Sequence, residues 1–513
     1  MPDTAAPTAP TAPTASTNPG TDSEAAKRQR AHVDKLLARA PVTAEGALTL
    51  ASGERLAYRV RAGFIAVGGS GLDAASSEPQ AAIFTTAYTA LGDSASPRPV
   101  CFVFNGGPGS SSVWLHLGAV GPKRVPVPDD GSVAPSPYTL VDNPHSWLAH
   151  FDLVFIDPPH TGWSVTASEA ARKQMLGVDG DVDALAEVVR GWLAANGRFG
   201  APLYLAGESY GTTRGAALAD KLLDQGLGLD GVILVSCAMD LQSLVFTPRN
   251  DLPYALFVPA FAAVAQYHGR LKGALGASPQ AACAAAEAFV ADDYLGALHA
   301  GARLDGRARS RIERRLAELT GLPLAVVQEK NLRISDQCFF FELLREQGRI
   351  VGRLDARATG PMAAHRTRQW EFDPGMEALV IPYNTAAMAY FAELGLPVAE
   401  RYETMSVAVN SAWNWQRKSA QAGGEAVMGF CSTSNELSRA LRRQPHLKLL
   451  VASGRYDLGT PYSASDWALA QLDAPAEVLA RITHHCYDAG HMMYTRSADL
   501  AQLQRDLAAW LAA

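Results

Sequence analysis

Charge is scarce in this chain. Of its 513 residues only 19% are charged, against 48% hydrophobic, and the formal net charge is -6. A mildly acidic balance excludes the electrostatic footprint of a nucleic-acid-binding protein, so no nucleic-acid partner is expected. Cysteine is sparser still. Cys101, Cys237, Cys283, Cys338, Cys431 and Cys486 show no Cys-x-x-Cys spacing, which points away from a zinc knuckle or a redox pair. Cys101 and Cys237 fall in apparent strands and read as small buried hydrophobes; pairing among the others is not legible from spacing. No apolar run reaches the roughly 18 residues of a spanning helix. There is no Gly-Lys-Ser/Thr and no Gly-x-Gly-x-x-Gly, so no phosphate loop and no cofactor or metal is expected. The start lacks the basic residues and continuous apolar core of a secretory signal peptide. The chain therefore reads as cytoplasmic, or as secreted or periplasmic if a leader is missing. No repeat occurs at solenoid or propeller periods.

What is present suits a large globular protein, with one big core and an insertion or with two domains. Residues 1–25 are Ala, Pro and Thr with almost no large apolar side chain, and are expected to be a disordered tail. Structure is expected from about Glu45. Leu48 to Val67 and Gln80 to Ala90 alternate as antiparallel strands do. Val100 to Phe104, Phe151 to Ile156, Gly231 to Val235 and Leu447 to Ala452 are short apolar runs of the kind buried on two faces. Val178 to Ala195 has helical periodicity. Strands alternating with helices predict an α/β fold with a mostly parallel sheet. The division expected is a core at 45–247, a mainly helical cap insertion at 248–400, and a second core segment at 401–513. Within the insertion, Phe257 to Leu271, Pro279 to His299, Arg307 to Leu319 and Tyr383 to Leu394 read as helices. Arg481 to Cys486 reads as a last strand and Ala498 to Leu511 as a last amphipathic helix.

The chemistry centres on Leu203-Tyr204-Leu205-Ala206-Gly207-Glu208-Ser209-Tyr210-Gly211. A strand-forming run enters Gly-x-Ser-x-Gly and a small-residue helical segment leaves it, the setting of a nucleophile elbow. Two later turns follow buried strands, one carrying Asp457 and the other His491. In a parallel sheet the carboxyl ends of strands share one edge, so Ser209, Asp457 and His491 are expected to meet there. Their order along the chain, Ser then Asp then His, is that of the α/β-hydrolase triad. His491 would take the serine proton and Asp457 would hold the imidazole tautomer. Asp488, close to His491 in sequence, reads as a turn former. His484 and His485 lie inside a strand, where at most one can face the crevice. Asn105-Gly106-Gly107-Pro108-Gly109, directly after a buried strand, supplies a glycine loop for an oxyanion hole. The donors chosen are the backbone amides of Gly107 and Tyr210.

Together these pieces resemble the serine carboxypeptidase family, in a bacterial-type member. The blocks are Asn105 to Gly109 with Ser111-Ser112, Gly207-Glu208-Ser209-Tyr210, Gly490-His491-Met492, and Asp157-Pro158-Pro159 leading to Thr161-Gly162-Trp163-Ser164. The resemblance implies an α/β-hydrolase with a helical cap, and removal of a C-terminal residue from a peptide with a free C-terminus. It also implies that Asn105 and Glu208 bind the substrate carboxylate. Two other members of that clamp are replaced: Val103 stands where the family has a tryptophan, and Ala119 where it has a second glutamate. Ser110 replaces the cysteine usual in the glycine block. Arg214, one helical turn beyond Ser209, is the cation the sequence offers in compensation. The altered clamp keeps two other functions open, an esterase or acyltransferase on the same scaffold and a catalytically inactive binding protein. Trp413 and Trp415 line the cleft or fill core, with core favoured. Oligomeric state, preferred side chain and pH optimum are not legible.

Overall fold

The apolar runs assemble into one ten-stranded sheet. The computed structural model describes residues 19–68, 78–92, 97–418 and 428–513. Its strands are β1 (Val42–Thr49), β2 (Arg55–Val67), β3 (Ala81–Ala90), β4 (Val100–Phe104), β5 (Asp152–Ile156), β6 (Val165–Thr166), β7 (Leu203–Glu208), β8 (Gly231–Val235), β9 (Lys448–Gly454) and β10 (Ile482–Tyr487). The spatial order is β1-β2-β3-β5-β4-β7-β8-β9-β10, with the short β6 on β3. The first four of that order pair antiparallel, and from β5 to β10 every pairing is parallel. The carboxyl ends of β4, β7, β8, β9 and β10 therefore lie along one edge.

Alternation along the central strands explains the two cores. Cys101 and Val103 of β4 face one layer with Phe155, Ala206, Ile233 and Leu450. Phe102 and Phe104 face the other with Val154, Leu205, Leu234 and Leu449. All are essentially buried, each large side chain contributing about 1.5–3 kcal/mol. The second layer is closed by α2 (Val178–Asn196), α3 (Tyr210–Asp224) and later by a helix at Ser434–Arg443, through Leu185, Leu218 and Leu441. α2 stops at Gly197, whose φ of 63° makes the left-handed C-terminal turn.

The ordered chain begins earlier than Glu45. A helix, α1 (Pro19–Leu37), precedes β1 and takes in the last residues of the stretch expected to be a disordered tail. Val33 and Leu36 bury against Ala82 and Ala167, two apolar anchors among many polar neighbours. Residues 1–18 of that tail lie outside the described residues.

Between β8 and β9 the chain is mainly helical, with a small hairpin at Arg349–Val351 and Thr359–Pro361. Helices from Val258–Tyr267 to Asp336–Glu342 form their own core around Phe261, Leu316 and Phe339. The next helix, α4 (Pro374–Glu393), behaves differently. Its Tyr383, Ala387 and Phe391 pack with Trp114 and Phe155 in the sheet's first layer. It also starts nine residues before the expected Tyr383, because it continues through Pro382, which in sequence reads as a break. Of the later helices, α5 (Ser434–Arg443) packs on α3 and α6 (Ser497–Ala512) closes the first layer. Among the described residues no helix is long and apolar enough to cross a membrane. All six cysteines are free thiols.

Candidate active site

Ser209 sits between β7 and α3 with φ 59° and ψ -129°, a conformation that costs a non-glycine residue about 1–3 kcal/mol. Three hydrogen bonds hold it there. Its amide donates to the Val235 carbonyl at 2.9 Å, and its carbonyl accepts from the Thr212 amide at 2.8 Å and hydroxyl at 2.7 Å. Gly207 has to be glycine, since a Cβ there would lie 2.2 Å from the Gly211 carbonyl oxygen. The turn thus presses strand and helix together with the serine at the tip.

Asp457 and His491 arrive from the ends of β9 and β10. His491 Nδ1 is 2.7 Å from Asp457 Oδ2. The other Asp457 oxygen accepts from the Gly459 and Thr460 amides, at 2.7 and 3.0 Å, and the Thr460 hydroxyl donates to Oδ2 at 2.7 Å. Burial alone would raise the Asp457 pKa, but the facing imidazole and these donors bring it below the usual carboxylate value. For His491, burial pushes the pKa down and the Asp457 charge and hydrogen bond outweigh it, so the net direction is upward. The neighbouring acid, Asp488, pairs instead with Arg455 at 2.9 Å. The backbone ties the histidine to the serine turn: the Ser236 hydroxyl, next to Val235, donates to the His491 carbonyl at 2.6 Å. No hydrogen bond joins the Ser209 hydroxyl to the imidazole among the described residues.

The glycine loop lies against the elbow. A Cβ on Gly106 would stand 2.4 Å from the Tyr210 nitrogen and 2.5 Å from that of Gly211. Tyr210 is the first residue of α3, so its amide has no intrahelical acceptor. The Gly107 amide makes no hydrogen bond among the described residues, and both residues line the cavity beside Ser209. Two free amides beside a hydroxyl can hold a developing oxyanion. Asp157 braces the loop from behind, accepting from the Ser112 amide and hydroxyl at 2.9 and 2.7 Å. Burial pushes its pKa up to about 6 against those bonds.

Arg214 does not reach the cavity. It is fully buried, paired with Asp181 at 2.7 Å, and donates to the Asn105 carbonyl. It positions the loop and is unavailable to a substrate. Glu208 is 3% exposed, with the Asn105 side chain beside it and the Tyr494 hydroxyl donating to Oε2 at 2.6 Å. Burial raises its pKa to about 7, with the His491 and Tyr494 contributions opposing. Near Ala119, tyrosines fill the space: a Cβ on the preceding Gly118 would be 2.4 Å from the Tyr494 ring and 2.6 Å from the Tyr383 hydroxyl. The Tyr383 hydroxyl is buried without a hydrogen-bond partner among the described residues. The partner that sequence does not find for Glu208 at position 119 is Tyr494, three residues beyond His491.

A cavity of about 450 Å³ opens beside Ser209, with apolar walls that include Leu241, Val245 and Trp415. Trp413 instead packs in the core against Tyr210, so the two tryptophans divide between core and cleft. A second serine-histidine-aspartate string lies nearby on β9 and β10. His484 Nε2 is 2.8 Å from the Ser453 hydroxyl and Nδ1 is 2.6 Å from Asp466. Ser453 is fully buried, so no substrate reaches it. Ser453→Ala should leave fluorophosphonate labelling stoichiometric and cost about 1 kcal/mol of stability, read by chemical denaturation.

Residues 68–243 match the family model described as serine carboxypeptidase. That stretch contains Asn105, Gly107, Glu208, Ser209 and Tyr210, and excludes Asp457 and His491. No curated protein matches the sequence. In structure the chain is similar to the prohormone-processing carboxypeptidase Kex1 from Saccharomyces cerevisiae. That likeness has 14% identity, covers 88% of this chain and 91% of that one, and has a TM-score of 0.54. It also matches an acetylester hydrolase from Corynebacterium glutamicum, with 11% identity, coverage of 92% and 96% and a TM-score of 0.32. A proline iminopeptidase from Mycobacterium smegmatis matches at 12% identity, coverage of 91% and 100% and a TM-score of 0.32. With the parallel sheet and the serine turn, the chain has the α/β-hydrolase fold, and its residues 68–243 are similar to the serine carboxypeptidase family.

Proposed function

We propose that this protein is a serine-type carboxypeptidase. The observation that carries the reading is the hydrogen-bonded His491–Asp457 pair beside the strained Ser209 turn, with a buried, raised-pKa Glu208 next to it. Ser209 Oγ attacks the last peptide carbonyl while His491 Nε2 takes its proton. The Gly107 and Tyr210 amides receive the oxyanion. Collapse forms an acyl-enzyme on Ser209, and the His491 proton passes to the departing amine of the C-terminal residue. Water, deprotonated by His491, then releases the shortened peptide. No cofactor or metal enters these steps.

Glu208 and Asn105 would receive the substrate's C-terminal carboxylate. A neutral Glu208 carboxyl can donate to it, whereas an ionised one repels it. The sign of the pH dependence follows. His491, with its raised pKa, must lose its proton as pH rises, while Glu208 must keep its proton and loses it through about pH 7. We expect kcat/KM for an N-blocked dipeptide to fall above about pH 7, and that for an ester lacking a carboxylate to stay level. Glu208→Gln should abolish that difference. Release of a C-terminal residue from blocked dipeptides, and not from their C-terminal amides, tests the exopeptidase reading directly. The second reading, an ester hydrolase or acyltransferase, is favoured by Ala119, an apolar residue at the usual place of Glu208's partner acid. Ester turnover with no dipeptide turnover from pH 4 to pH 8, a range spanning the ordinary carboxylate and His values, would select it.

A further inference from the structure

The cavity beside Ser209 has largely apolar walls with Thr213 and Thr460 among them, and among the described residues one charged side chain lines it. Arg353 comes from the insertion, directly after the hairpin strand Arg349–Val351, and lines the cavity with Ser209, Gly107 and Gly459. Its side chain is exposed to that space and makes no ion pair among the described residues. A Cβ on Gly459 would lie 3.5 Å from its guanidinium carbon, ordinary van der Waals contact, so the guanidinium lies beside the Asp457 loop. The backbone around it is held from both loops that carry the triad residues. The Arg353 carbonyl accepts from the Leu458 amide at 2.9 Å, and the Leu354 carbonyl accepts from the His491 amide at 2.6 Å. Asp373 takes the Arg353 and Leu354 amides at 2.9 and 3.2 Å. Two acids feel the Arg353 charge, Asp373 and Asp336, and neither is within salt-bridge distance of it. A cation with no salt-bridge partner among the described residues thus faces a cavity beside the nucleophile.

Which half of a substrate fills the cavity follows from proton transfer. The departing amine has to face His491, which protonates it, and its carboxylate has to reach Asn105 and Glu208, neither of which lines the cavity. His491 is not among the residues that line the cavity, whereas Gly107 and Tyr210 are. The cavity therefore lies on the acyl side of the scissile bond. We infer that Arg353 selects an acidic side chain, Glu or Asp, on the acyl side, its guanidinium pairing with the carboxylate above apolar walls that take the methylene stem. Arg binds carboxylates through two parallel N–H donors, which discriminates Glu from the isosteric Gln. The inference rests on Ser209 and His491 acting as proposed above, but not on the leaving group being an amino acid.

The test uses two isosteric pairs on the full chain: N-blocked Glu-Leu against Gln-Leu, and N-blocked Glu against Gln 4-nitrophenyl esters. We expect kcat/KM to favour Glu by about tenfold or more in whichever pair is turned over, the scale of one partly solvated charge pair. Arg353→Gln should collapse that ratio to within about threefold, and Arg353→Lys should retain part of it. A wild-type ratio near one, or a ratio unmoved in Arg353→Gln, overturns the inference. So does an equal loss on both dipeptides with no loss on the esters, which would make Arg353 a reader of the C-terminal carboxylate. Glu-selective ester turnover without dipeptide turnover would leave the inference standing and end the carboxypeptidase reading. If neither pair is turned over, protection of Ser209 from fluorophosphonate by Glu-Leu but not Gln-Leu sustains it, and equal protection or none overturns it.

Discussion

Ser209→Ala should lower turnover of peptides and esters alike by about 10⁴-fold or more, and should abolish labelling by a fluorophosphonate. The wild type should take up one label per chain. This outcome also disposes of the inactive binding-protein reading, because stoichiometric labelling requires an activated hydroxyl. Stability should hardly change, since the Ser209 hydroxyl makes no hydrogen bond among the described residues and only the backbone is tied down. Ser209→Gly should be equally inactive yet more stable than Ser209→Ala. Glycine tolerates φ 59° and ψ -129° without the roughly 1–3 kcal/mol that alanine still bears. A matched pair of thermal melts reads that difference.

Gly106→Ala should be among the most damaging changes outside the triad residues. The added methyl would meet the Tyr210 nitrogen at 2.4 Å, the Gly211 nitrogen at 2.5 Å and the Glu208 carbonyl oxygen at 2.7 Å. All three are backbone atoms of the elbow, so no rotamer change relieves the contact. Either the glycine loop or the start of α3 has to move, and each carries one of the two oxyanion donors. We expect kcat to fall by about 10² to 10³, the loss seen when one such donor is removed. Overpacking should add about 1–3 kcal/mol of destabilisation. Residual activity within about twofold of wild type would show that the two amides do not act together.

Much of the fold was legible because its signals are local. The runs at β4, β5 and β8 are apolar on both faces and five residues long, and such segments are buried strands wherever they occur. The elbow was legible for a similar reason, as glycines at 207 and 211 bracket a residue that only a crowded turn requires. α1 is not legible because it docks through Val33 and Leu36 with Leu37 half-buried beside them, too few apolar residues to register against its polar composition. α4 is only partly legible, from Tyr383, while the helix itself runs from Pro374 through Pro382.

Site residues divide the same way. Asp457 and His491 are placed by their strand ends and Asp488 reads as a turn former; in the fold Asp488 pairs with Arg455. Tyr494 was in plain view beside His491, yet nothing local says that its hydroxyl reaches Glu208. Arg214 pointed the wrong way because helical spacing gives distance along a helix and not which face is buried. Arg353 is one of 45 Lys and Arg residues. Only the fold distinguishes it, by the Leu458 amide on its own carbonyl, the His491 amide on that of Leu354, and its place in the cavity wall.

Those bonds also say something about how the molecule can be taken apart. The segment between β8 and β9 is moored by its Arg353–Leu354 backbone to the two loops that hold Asp457 and His491. It is not a hinged cover that swings clear of a finished machine. Lifting it at that point would strip the histidine amide of its acceptor and drag on the aspartate loop. The helices from Val258 onward are no detachable part either, for their core takes in Tyr456 and Leu458, the two neighbours of Asp457.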